Sequence, residues 1–219
     1  IKMEVQRNRP PKEGYLQKVR NLATENSIVL IFDECTSGFR ENFGPIFNKY
    51  GVEPDLTVFG KTIANGYALT AVVGRREVMQ AAQNTFISST FWTERIGPTA
   101  ALKTLEVMEK ENPWDYIVEN GNYITEKWND LGNNNGLKIS TFGIPSLTGF
   151  SFDSENSLKY KTYLTQEMLK KGYLASTLFY SCTAHTKEII DNYIDNLNPV
   201  FKLLSKCENQ EFDIDSLLE

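Results

Sequence analysis

Two stretches decide how this chain is read: Ile28-Val29-Leu30-Ile31-Phe32-Asp33-Glu34, and Val58-Phe59-Gly60-Lys61-Thr62-Ile63-Ala64-Asn65-Gly66. The run from Ile28 to Phe32 is continuous apolar sequence rich in β-branched and aromatic residues. Such a run marks a strand buried on both faces, as in a parallel sheet. It stops at two carboxylates. A second short strand, Leu56 to Phe59, stops at Gly60-Lys61. A third, Ala71 to Gly74, precedes the helical segment RREVMQAAQN. Upstream, GYLQKVRNLATEN places Tyr15, Leu16, Val19, Leu22 and Ala23 on one helical face. The pattern predicts an α/β fold with functional groups at strand ends, where open sheets carry their sites.

Lys61 has three readings. Gly60-Lys61-Thr62 matches the end of a phosphate-binding GxxxxGK[ST] loop. The first glycine of that loop would stand at position 55, which is Asp55. A carboxylate there would repel the phosphates that the loop's N–H groups must wrap. A second reading is a solvated lysine after a strand, with Gly60 and Gly66 serving turns. The third is a lysine that forms a Schiff base. Pyridoxal phosphate acts as an electron sink only while its ring nitrogen is protonated, and a facing carboxylate keeps it so. Asp33 ends a strand 28 residues before Lys61. Two neighbouring parallel strands could aim both groups at one cofactor.

The rest of the composition narrows the choice. The 219 residues are 41% hydrophobic and 23% charged, which is ordinary for a globular protein. The net charge of -5 argues against nucleic acid or an anionic membrane as partner. No apolar run is long enough to span a bilayer. The absence of an initiator Met at position 1 suggests a chain that begins mid-protein. Cys35, Cys182 and Cys207 are odd in number and far apart, which points to a reducing, cytoplasmic compartment. The single histidine, His185, cannot build a His/Cys metal cluster, so no metal is expected. It precedes Thr186, a candidate N-cap for the last helix, and reads as structural.

From about residue 95 helices dominate. The spacing predicts a long helix beginning RIGPTAALK and another from Trp114 to Leu131, with Trp114 and Trp128 in the core. Short strands follow at Leu137–Thr141 and Leu147–Phe152, then a helix from Ser157 to Lys171 stopped by Gly172. The last helix runs from about Thr186 to Cys207. The boundary between two structural units is placed near residue 105.

IVLIFDECTSGFR, PDLTVFGKTIANGY, ISSTFWTERIGPTAALKTLEVM and YSCTAHTKEIIDNYI together resemble the class III (ω-type) pyridoxal-phosphate aminotransferases. The nearest branch is the one like glutamate-1-semialdehyde 2,1-aminomutase. The resemblance runs along nearly the whole chain. It implies an aspartate-aminotransferase-like fold, called fold type I. Residues 1 to 105 would be the C-terminal part of the large cofactor-binding α/β domain, and residues 106 to 219 the small C-terminal α+β domain. The upstream half, with the phosphate cup and the ring-stacking aromatic, would be missing.

The resemblance also implies roles. Lys61 looks like the lysine that bonds pyridoxal 5'-phosphate and moves the proton. Asp33 looks like the partner of the ring nitrogen. Cys35 stands where the family packs a small apolar side chain on the ring face. Thr90 stands where the family reaches the cofactor phosphate of the other subunit, so a homodimer with sites at the interface is implied. Glu4 matches a glutamate near the active site, although the family's following Pro is here Val5. Departures fall after the lysine, where GKTIANGYALTA replaces a glycine-rich loop, and at Trp92-Thr93-Glu94. They point away from an aminomutase of tetrapyrrole synthesis and toward a transaminase on a sugar or another keto or aldehyde substrate. The alternative function is a non-catalytic fragment or interaction subunit on the same fold.

Overall fold

The computed structural model describes residues 1, 3, 11–87 and 90–219. Two compact units divide the chain between Trp114 and Asp115. The boundary expected near residue 105 would fall inside helix α3 (Ile96–Glu111).

In the first unit, α1 (Tyr15–Glu25) leads to β1 (Ile31–Glu34), β2 (Leu56–Phe59) and β3 (Ala71–Gly74). β1 and β2 pair in parallel, with Asp33 opposite Val58 and Glu34 opposite Phe59. β3 returns antiparallel to β2. On the other edge of β1, the Asp33 N–H donates to the Ile1 carbonyl and the Met3 N–H donates to the Asp33 carbonyl.

β1 begins three residues later than the apolar run, so Asp33 and Glu34 lie inside the strand rather than beyond its end. The expectation of burial on both faces also fails. Phe32 is fully buried while Ile31 is 42% exposed. Alternate strand residues point to opposite faces, and one face packs Leu30 and Phe32 against Leu16, Ala23 and Val52. The buried face of α1 is narrower than its sequence suggests, because Tyr15 and Leu22 are exposed.

At the carboxyl end of the sheet, Phe59, Ile63, Ala64 and Ala101 form a second small core, through which α3 packs on the 3-10 turn Lys61–Ala64. A short helix α2 (Arg76–Met79) follows β3. Trp114, where α4 (Trp114–Asn135) begins, is buried against Phe43 at 5.8 Å and belongs to this first unit.

The second unit is an antiparallel sheet, β4 (Ile139–Ile144), β5 (Leu147–Phe152) and β6 (Leu178–Tyr180), with β5 in the middle. Its helices are α4, α5 (Ser157–Lys170) and α6 (Lys187–Glu208). Trp128, Phe150, Tyr160, Leu164, Met168, Phe201 and Leu204 form one core. The helix ends predicted at Gly172 and Thr186 are present, while α4 runs past its predicted end at Leu131 to Asn135. Gly172 has a φ of 84°, and the Tyr173 N–H returns to the Met168 carbonyl behind it. Thr186 caps α6 by accepting from the Ile189 N–H.

Candidate active site

The parallel pairing of β1 with β2 puts the ends of two strands side by side. Asp33 comes from the first and Lys61 comes directly after the second. Between them lies the turn Cys35–Gly38, held from both sides. The Asp33 Oδ1 accepts from the Cys35 N–H at 3.0 Å, and the Gly38 N–H donates to the Glu34 carbonyl at 2.9 Å.

Glu34 is fully buried and anchors the loop after β1. Its carboxylate accepts from the Ser37 hydroxyl at 2.7 Å and from the Ile46 and Phe47 N–H groups at 3.0 Å each. Burial pushes its pKa up, and the charge of Asp33 adds to the rise, while those three donors pull the other way.

Lys61 opens the 3-10 turn with a φ of 46°, in the left-handed region that a non-glycine residue adopts at a cost. Its Nζ donates to the Thr36 hydroxyl at 2.6 Å, joining the two strand ends. Gly60 allows this approach. A Cβ on it would lie 2.5 Å from the Cys35 Sγ. Beside Lys61, the Thr62 hydroxyl is buried and has no hydrogen-bond partner among the described residues. Such an orphan is unusual in a folded protein and is what a bound polar group satisfies.

Asp33, Cys35 and Lys61 therefore gather at one end of the first sheet. Thr90 is exposed in a turn ahead of α3. A helix N-terminus with free N–H groups would suit a phosphate there. The Glu94 carboxylate takes those of α3 instead, accepting from Ile96 N–H and, at 2.9 Å, from Gly97 N–H. Glu4 lies outside the described residues.

Asp55, which argues against the phosphate-loop reading, has a structural task. Its carboxylate accepts from Arg20 and from the Leu30 N–H, both at 2.8 Å, and pairs with Arg75 at 3.3 Å. It ties α1 to the start of both strands. Arg40 holds the turn after Asp33 by donating to the Thr36 carbonyl. His185, in the second unit, accepts from the Cys182 N–H through Nδ1, and its ring lies 4.6 Å from that of Phe179. Burial lowers its pKa. Among the described residues, no group of three His, Cys, Asp or Glu could hold a metal ion, and no helix is long and apolar enough to cross a membrane.

Sequence reasoning does not single out Thr36 or the anchoring role of Glu34. Thr36 stands 25 residues from Lys61, and no local periodicity signals a contact at that distance. The polar Thr36-Ser37 pair directly after the strand is the one available signal.

The family model for aminotransferase class-III matches residues 8–186. The chain belongs to the class-III aminotransferase family. Among curated relatives, it is 35% identical over 184 residues to a 3-aminobutyryl-CoA aminotransferase of Cloacimonas acidaminovorans, covering 81% of this chain and 44% of that protein. It is 34% identical over 166 residues to a glutamate-1-semialdehyde 2,1-aminomutase of Prosthecochloris aestuarii, covering 74% of this chain and 38% of that protein. The chain thus spans less than half the length of either relative.

Solved structures agree on the fold. The PLP internal aldimine form of the FumI protein of Sphingopyxis sp. MTA144 superposes with a TM-score of 0.80 at 21% identity, over 93% of this chain and 50% of that one. An omega-transaminase from Sphaerobacter thermophilus gives 0.78 at 20% identity, over 89% of this chain and 48% of that one. The mixed α/β architecture of this class-III chain is that of the fold type I transaminases.

Proposed function

We propose that this chain carries the amine and the carboxylate of a pyridoxal-phosphate-dependent aminotransferase. The observation that carries the reading is the placement of Asp33 and Lys61 at the same end of two adjacent parallel strands. The residues suit the cofactor chemically. Lys61 supplies a primary amine on a strained turn, Asp33 a carboxylate, and Cys35 a small side chain against Gly60. Thr62, next in sequence to Lys61, carries a buried hydroxyl with no partner among the described residues.

When bound, pyridoxal phosphate supplies an electron sink for the carbon that loses or gains the amino group. Lys61 would hold it through its amine and would move the proton at the substrate carbon. Asp33 would keep a positive charge on the ring nitrogen through a charge-assisted hydrogen bond. Cys35 would pack on the ring face. Thr90 would reach the cofactor phosphate of a second subunit in a homodimer. The first unit is then the C-terminal part of the large cofactor domain and the second the small C-terminal domain. The substrates are an amino donor and a keto or aldehyde acceptor, and the compartment is the cytoplasm.

Borohydride reduction of the full-length protein in the presence of pyridoxal phosphate, with peptide mapping of the product, tests this directly. The label is expected on the peptide carrying Lys61. Asp33→Asn is expected to keep that label but to slow amino transfer by at least about tenfold, since the lost charge-assisted bond is worth roughly 1.5–3 kcal/mol. A label concentrated on another lysine, such as Lys103, overturns the assignment.

A further inference from the structure

We infer that Thr36 is the positioning residue for the Lys61 amine, aiming it from the Asp33 side of the site; this rests on the reading of Lys61 as the amine that bonds the cofactor. A lysine has four rotatable methylenes, and its amine samples a wide volume unless something holds it. Here the Nζ is held at 2.6 Å by a hydroxyl from a different strand end.

Thr36 is itself well fixed. It is 9% exposed, its carbonyl accepts from the Arg40 Nε at 2.6 Å, and the Asp33 carboxylate grips the Cys35 N–H just before it. The turn that places the carboxylate of Asp33 therefore also places the amine of Lys61. The left-handed φ of Lys61 directs the side chain at its other end. The two constraints meet at Nζ.

A hydroxyl suits this task because it has both a proton and lone pairs. It accepts from an ammonium and donates to a neutral amine. The contact therefore survives the change of protonation state that a lysine undergoes when it attacks a carbonyl or moves a proton. An ionised carboxylate, which only accepts, would favour the ammonium over the neutral amine.

The test compares wild type, Thr36→Val and Thr36→Ser in the full-length protein, each incubated with pyridoxal phosphate, reduced with borohydride and digested. The readout is the labelling of Lys61 relative to exposed Lys103 in the same digest. Thr36→Val keeps the shape and removes the hydroxyl, and should lower that ratio by about fivefold or more, a conservative figure for one hydrogen bond to a charged group. Thr36→Ser should stay within about twofold of wild type, since the hydroxyl bond is retained. Thr36→Ala provides a second loss of the hydroxyl if the valine variant does not fold. A wild-type ratio in the variants lacking the hydroxyl, or a serine variant as low as they are, overturns the inference while leaving Lys61 in its role. No preference for Lys61 in wild type removes both readings.

Discussion

Replacing Gly60 by alanine sets two physical effects against each other. The backbone there is extended, with φ -164° and ψ -161°, so alanine fits the conformation. Reasoning from the chain alone, Gly→Ala should stabilise by about 0.4–1 kcal/mol, because the unfolded state loses freedom. The folded structure opposes this. The new Cβ would lie 2.5 Å from the Cys35 Sγ, about an ångström inside normal contact, while the next neighbours, at 3.5 and 3.7 Å, are unstrained. Forcing a methyl into a filled space costs about 1–3 kcal/mol. Gly60→Ala is therefore expected to destabilise by roughly 1–2 kcal/mol net. The clash involves one atom, so it should vanish when that atom is removed. In a Cys35→Ala background the same substitution should be neutral or stabilising, a coupling of about 1–3 kcal/mol. Urea unfolding of the four proteins of this cycle measures it. Equal effects of Gly60→Ala in both backgrounds would refute the argument, by showing that the thiol simply rotates away.

The packing gives three further expected outcomes. Gly121→Ala should gain about 1 kcal/mol in helix propensity, yet a Cβ there would sit 1.7 Å from the Pro145 carbonyl oxygen; a lowered melting temperature is expected, and a raised one would contradict the close approach. Trp128→Ala removes a fully buried ring packed 4.9 Å from Phe150 and should cost about 3–5 kcal/mol in denaturant unfolding. Asp55→Asn should cost roughly 2 kcal/mol near neutral pH. Burial raises the Asp55 pKa, but the Leu30 N–H and the charges of Arg20 and Arg75 outweigh it and hold the carboxyl below its ordinary range. A depressed folded pKa contributes stability above the unfolded value of about 3.9 that is lost as pH falls through the folded value. The gap between wild type and Asp55→Asn should accordingly shrink in acid, and a gap independent of pH would contradict the role of its charge.

The sequence by itself determined what depends on neighbours along the chain. The apolar runs before Asp33 and Lys61 marked strands, Gly172 and Thr186 marked helix ends, and the order of motifs marked the family. Each signal is local, arising from a propensity, a cap or a period of two or 3.6 residues. The tertiary structure decided what depends on distant segments meeting. It set β1 three residues later than its apolar run, because pairing with β2 and contact with the first residues determine where the ladder lies. It exposed Ile31 while burying Phe32, since packing against α1 reaches one face of the strand. It gave the α3 N-terminus to Glu94, a capping contact that the motif match did not weigh. Above all it brought Thr36 to Lys61 and Gly60 to Cys35. Those contacts exist because parallel pairing aligns two strand ends from separate parts of the chain, and the sequence carries no periodicity that records which residues then touch.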